Sequence, residues 1–159
     1  MYILIANVNN LSRLEHILRN RISEERVSNI LKEAAEKISI DIQNLAPIDT
    51  GTYRNSIKVG EVKKQNTKYT IDIYSDLASG WKNVALGYLL EFGTGIKGET
   101  TNTYDHGYPY RQTPWVYYNE RYGRWIFTYG NIARPHFYPG LHLNENYFKD
   151  KIKKEISKW

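Results

Sequence analysis

At 159 residues and 41% hydrophobic composition, the chain is of single-domain length and can bury a real core, which excludes a disordered tail or linker. It has no cysteine, so no disulfide framework and no thiolate metal site can exist. A net charge of +5 invites a nucleic-acid reading without establishing one.

Fourteen Tyr and 4 Trp against 4 Phe skew the aromatics toward rings with a polar tip, the kind enriched where a surface is buried at one end and wet at the other. Tyr on half-exposed strands of a β-rich domain accounts for the same skew. Residues 1–8 form a short apolar run with neither a basic lead-in nor a small-residue cleavage site, and Asn9-Asn10 interrupts it, so it reads as a first strand. No apolar stretch approaches the ~20 residues that span a bilayer.

Leu11, Leu14, Ile17, Leu18 and Ile22 recur at helical spacing and predict a short amphipathic helix. Ser23 can cap a second, longer helix with Glu24 and Glu25 in its first turn. Its stripe of Val27, Ile30, Leu31, Ala34, Ile38, Ile42 and Leu45 stays on one face for over four turns, and Pro47 stops it by biasing Ala46 out of the helical region.

Residues 56–59 and 69–74 alternate with period two and predict the strands of a hairpin, with Tyr69, Ile71 and Ile73 inward. Residues 84–91 suit a short helix closed by Gly93-Thr94-Gly95. Residues 96–113 are rich in Gly, Thr, Asn, Asp and Pro without a period and read as a protruding arm, which extends to about residue 130. Residues 115–118 and 124–129 predict a second hairpin with aromatics on both faces, which needs two partners, one of them another subunit. From Leu141 to the end, Phe148, Ile152, Ile156 and Trp159 mark a last helix. The expectation is one α+β domain over residues 1–159: a long N-terminal and a C-terminal helix on a mainly antiparallel sheet, with an extended aromatic hairpin and arm.

Chemistry-bearing residues are sparse. Asp49-Thr50-Gly51 matches the short signature of aspartic proteases, but that chemistry needs the Asp after a buried strand, and here a helical stripe and Pro47 precede it. The structural alternative is an Asx turn, with Asp49 accepting N–H bonds from Gly51 or Thr52. Glu91 between Leu90 and Phe92 could be an acid of raised pKa, yet no second carboxylate or His lies at helical spacing, which favours a Glu partnered by Arg54 or Arg134. Of the four His residues, His136 and His142 are six apart with no third ligand nearby, and Asp105-His106 lies in the arm. Lys149, Lys151, Lys153, Lys154 and Lys158 form the densest basic run, which also complements a helix dipole and solvates an exposed face. No cofactor or metal site is expected.

Three segments carry the remaining signal: Leu-Ala-Pro-Ile-Asp-Thr-Gly-Thr-Tyr-Arg-Asn-Ser-Ile at 45–57, Tyr-Leu-Leu-Glu-Phe-Gly-Thr-Gly at 88–95, and Ala-Arg-Pro-His-Phe-Tyr-Pro-Gly-Leu at 133–141. In this order and spacing, from about residue 23 to the end, they resemble the tail-component family of tailed bacteriophages, small neck proteins encoded among the head-to-tail joining genes. One departure is His136, an inserted or shifted position ahead of Phe137. The resemblance implies a non-enzymatic virion protein, in the host cytoplasm before assembly, that forms a homo-oligomeric ring of six copies or of twelve. The ring would lie between the head connector or stopper and the tail terminator or tail tube, with DNA passing nearby unread and no membrane involved.

The residues expected to shape turns or interfaces are Asp49, Thr50, Gly51 and Arg54; Glu91, Phe92, Gly93, Thr94 and Gly95; Trp115, Tyr117, Trp125 and Phe127; and Arg134 and Pro135. Readings from other classes are a hydrolase using Asp49 or Glu91 and a non-specific DNA-binding module using the C-terminal lysines.

Overall fold

The structure, a computed structural model, describes residues 24–66, 68–78, 84–103 and 110–157. The strand expected at 1–8, the helix expected at 11–22 and the Ser23 cap lie outside the described residues.

Helix α1, Glu24–Leu45, carries Glu24 and Glu25 in its first turn and buries Ala34, Ala35, Ser39 and Ile42. The last helical bond runs from Ala46 N to Ile42 O (2.9 Å), directly before Pro47. Most of the expected stripe faces inward, but Leu45 is exposed, and the next residue, Ala46, continues the buried side beyond Ile42.

The long C-terminal helix, α5, spans Phe137–Ser157 and starts four residues before the expected Leu141, with Pro139 in its first turn, where a missing N–H costs nothing. It packs antiparallel to α1, since pairs along it rise on one helix as they fall on the other. Arg26 bonds Glu155 (2.8 Å), Glu33 pairs with Lys151, and Asp41 accepts from the buried Asn144 amide (2.8 Å). At Gly140 the helices touch: a Cβ there would sit 2.6 Å from Ile42 Cγ1.

The short helix α2, Thr52–Asn55, leads into β1, Ile57–Val59, which pairs antiparallel with β4, Ile73–Ser75. Beyond them β2, Lys63–Gln65, pairs with β3, Lys68–Thr70. The expected hairpin is therefore present but broken. From Gly60, which bonds Asp72 O (2.8 Å), to the pair Lys63 with Thr70, the first strand takes one more residue than the second, so a β-bulge divides the ladder. Ile73 is buried, while Tyr69 and Ile71 are half-buried.

Helix α3, Leu86–Phe92, matches the expected short helix, and α4, Gly95–Thr101, replaces the first part of the expected arm. Composition misled there: Thr100 and Thr101 return hydroxyl bonds to carbonyls three and four residues back, and Gly98 is buried. Strands β5, Trp115–Asn119, and β6, Arg124–Thr128, form the predicted aromatic hairpin. All pairing among the described strands is antiparallel, as expected, but it is divided among three two-stranded ladders. The α+β core comprises Ala35, Ile42, Ala46, Tyr53, Ile57, Ile73 and Phe137, so it draws on α1, the α2 segment, the first ladder and α5.

Candidate functional site

Glu91, near the end of α3, is 3% exposed, and its carboxylate caps α5 from outside that helix. Oε2 accepts from the backbone N–H of His136 (2.7 Å) and Phe137 (2.9 Å), and Oε1 from that of Tyr138 (3.0 Å). The next residue, Pro139, has no N–H, and Gly140 N already reaches His136 O (3.1 Å). One side chain thus satisfies every donor the first turn leaves open, and its negative charge sits at the positive end of the helix dipole.

The expected arginine partners do not hold Glu91. Arg54 bonds Asn44 Oδ1 (2.8 Å), and the exposed Arg134 contributes only backbone, its N–H reaching Leu90 O (2.7 Å). Backbone donors take the place of a guanidinium, because the bond from Arg134 N to Leu90 O lays the segment along α3 and brings the N–H groups of residues 136–138 to the carboxylate.

His136 is fully buried against this carboxylate. Its Nδ1 donates to Arg134 O (2.8 Å), with Glu91 Oε2 3.1 Å from the same atom, and Nε2 accepts the Tyr53 hydroxyl (2.7 Å). These neighbours define the neutral Nδ1–H tautomer. Tyr53 comes from the first motif, Glu91 from the second and His136 from the third, so His136 joins all three. Burial lowers the His136 pKa below its usual value, against the opposing pull of Glu91, and raises that of the Tyr53 hydroxyl.

A histidine whose folded pKa is depressed takes up its proton in the unfolded chain first. The stability it confers is complete above the unfolded value near 6.5 and falls as pH drops through that value toward the folded one, with a slope of at most about 1.4 kcal/mol per pH unit. Chemical denaturation between pH 7.5 and 5 should show wild type losing stability faster than His136→Asn; parallel curves would contradict this assignment.

The second motif turns at Gly93, where φ is +73°. Segment 131–134 docks on that turn: Thr94 N donates to Asn131 O (2.9 Å), Asn131 N to Thr94 Oγ1 (2.9 Å) and Ala133 N to Thr101 Oγ1 (2.7 Å). Phe92 O accepts the Tyr110 hydroxyl (2.8 Å), Gly95 packs under the Trp115 ring, and Pro135 is half-buried between Arg134 and His136.

In the first motif, Gly51 adopts the expected left-handed conformation (φ +82°), but the turn is not an Asx turn. Thr50 Oγ1 accepts from Thr52 N (3.4 Å), whereas the Asp49 carboxylate, 77% exposed, reaches across to Arg121 Nη1 at the tip of the aromatic hairpin (3.1 Å). The threonine hydroxyl is short enough to close the turn, which frees the carboxylate for the cation.

The hairpin register places Val116 opposite Phe127 and Tyr118 opposite Trp125 on one face, all four more than half exposed, Trp125 to 69%. Tyr118 and Trp125 meet edge to face (5.6 Å between ring centres). Trp115, Tyr117 and Ile126 lie on the other face, where Trp115 and Ile126 are half-buried. This hairpin is the largest aromatic surface among the described residues.

As chemistry, these arrangements bind and orient. Both Glu91 oxygens are occupied by backbone donors in a closed interior, and Asp49 is solvent-exposed on an arginine. The described residues hold no cluster of three or more metal-ligating side chains and no helix long and apolar enough to cross a membrane. Of the C-terminal lysines, Lys149 pairs with Glu145, Lys151 with Glu33 and Lys153 with Asp150.

The motif residues are thus spent on turns, caps and close backbone packing, with an aromatic surface left outside. Residues 7–93, more than half of the chain, match the family model described as Bacteriophage HK97-gp10, putative tail-component, and the chain belongs to that family of phage structural proteins. The matched region includes the first motif and most of the second; the third lies beyond it. Neither the curated proteins nor the solved structures searched contain a match.

Proposed function

We propose that this tail component acts in the phage neck as a closed homo-oligomeric ring joining the head connector or stopper to the tail terminator or tail tube. The observation that carries this reading is the exposed face of Val116, Tyr118, Trp125 and Phe127, an apolar surface on a hairpin whose two strands pair over five residues each. Monomeric proteins rarely leave such a surface uncovered. Turns such as Gly51 and Gly93-Thr94-Gly95 hold the body that presents it, and Asp49 with Arg121 anchors its tip. Six copies, with twelve as the alternative, follows from the family setting. Family membership supports a place in the virion; on this reading the free chain is in the host cytoplasm beforehand, and DNA passes without being read.

The test is a phage carrying a deletion of this gene, complemented with the wild-type chain. Heads and tails should accumulate separately without it and join when it is restored, and joined particles should contain it as a ring of fixed stoichiometry by electron microscopy. Normal joining in its absence would overturn the proposal.

A further inference from the structure

Between the two long helices and the first hairpin lies an apolar groove of about 440 Å³, lined by Leu31 and Ile38 of α1, Tyr69 and Ile71 of the hairpin, and Leu141 and Phe148 of α5. No residue of the aromatic hairpin lines it. Resting on the ring reading above, we infer that the aromatic hairpin of one copy, through Val116, Tyr118, Trp125 and Phe127, seats in the α1–α5 groove of the next.

Three observations on the same chain favour this occupant. The first is that ribbon and groove are complementary in kind and separate in place. Arg121 ties the hairpin tip to Asp49, beyond the C-terminal end of α1, whereas the groove follows the middle of that helix. The hairpin therefore leaves the groove of its own chain open to another copy.

The second is size. Three rings and a valine, each more than half exposed, present on the order of 400 Å² of apolar surface, given the ~150–250 Å² that each aromatic side chain carries. That is about half of the ~800 Å² per partner in a specific interface. The groove volume falls within the ~300–1,000 Å³ typical of concave binding sites, enough for aromatic side chains.

The third is symmetry. A ribbon on one side and a groove on another make a heterologous contact, the kind that generates a ring when its rotation closes. Two hairpins stacked face to face would make an isologous pair and leave both grooves open.

The chain has no cysteine, so engineered thiols report without background. Phe127→Cys and Leu141→Cys copies, one carrying a size tag, are co-expressed, assembled and oxidised, both as purified oligomer and in virions. The expected product is a mixed dimer joining the two, absent from either variant alone. Trp125→Ala/Phe127→Ala should raise the concentration needed for assembly about thirty-fold or more, with an unchanged melting curve because both side chains are exposed in the single chain.

Rings that form normally with no mixed cross-link, or with the double alanine variant, would overturn this interface while leaving the neck reading standing. Cross-links between two Phe127→Cys copies, or a Phe127→Cys/Leu141→Cys bond closed within one chain, would assign the surfaces to other occupants and overturn it as well. A wild-type chain that is monomeric both in solution and in virions would remove the ring reading itself.

Discussion

Glu91→Ala is expected to destabilise the fold by about 3–5 kcal/mol, the range for removing one side of a buried charged interaction. The substitution leaves the N–H groups of His136, Phe137 and Tyr138 without their acceptor inside a closed interior, and each unsatisfied donor costs about 1–3 kcal/mol before any relaxation. For a domain of this size the melting temperature should fall by roughly 6–20 °C. Glu91→Gln should lie between wild type and alanine, because its amide oxygen still accepts while its NH₂ faces a donor. Melting curves for the three proteins provide the measurement. An alanine variant within about 0.5 kcal/mol of wild type would mean that water or another group caps α5.

Gly93→Ala is the second large effect, at about 3 kcal/mol or more. At φ +73° and ψ −171° the backbone occupies a region essentially restricted to glycine, which costs about 1–3 kcal/mol for any other residue. The added Cβ would also lie 2.6 Å from Asn131 O, 2.6 Å from Gly98 Cα and 2.7 Å from Ala133 N, all of them backbone atoms that cannot rotate away. Overpacking of that kind typically adds another ~1–3 kcal/mol. Gly123→Ala is the control. It shares a positive φ of +59°, but its Cβ would meet nothing closer than the Tyr118 hydroxyl at 3.9 Å, so only the strain applies. Hydrogen exchange should show the amides of Thr94 and Asn131 losing protection in Gly93→Ala alone; equal losses in both variants would show that conformation, not close approach, sets the requirement.

Both predictions concern the second motif, and they show how unevenly the site can be read from the chain. Local rules reach the glycine turn, since Phe-Gly-Thr-Gly after an apolar helix is a helix stop on backbone grounds. Those rules identify Glu91 as a buried, partnered carboxylate but not its partner. The donors are three consecutive backbone N–H groups 45 to 47 residues away, and nothing in residue type marks them. The only available signal was Pro139, which removes the fourth N–H of a helix start and places the beginning of α5 at Phe137. His136 was harder still. As a sequence feature it interrupts a motif, and only its position between the Tyr53 hydroxyl and the Glu91 carboxylate gives it a role.

The sequence by itself determined the elements whose causes are local. The α1 stripe and its stop at Pro47, the aromatic hairpin with rings on both faces, and the left-handed Gly51 turn follow from side-chain period, proline and glycine geometry over a few residues. Tertiary structure alone decided which groups close the open hydrogen bonds. It assigned Asp49 to Arg121 and left its turn to Thr50, formed a helix from the glycine- and threonine-rich 95–101, and introduced a bulge in the first hairpin. The reason is physical: period and propensity act over one or two turns of chain, whereas a buried donor or carboxylate is satisfied by whatever the fold brings within about 3 Å, and that partner can come from any part of the sequence.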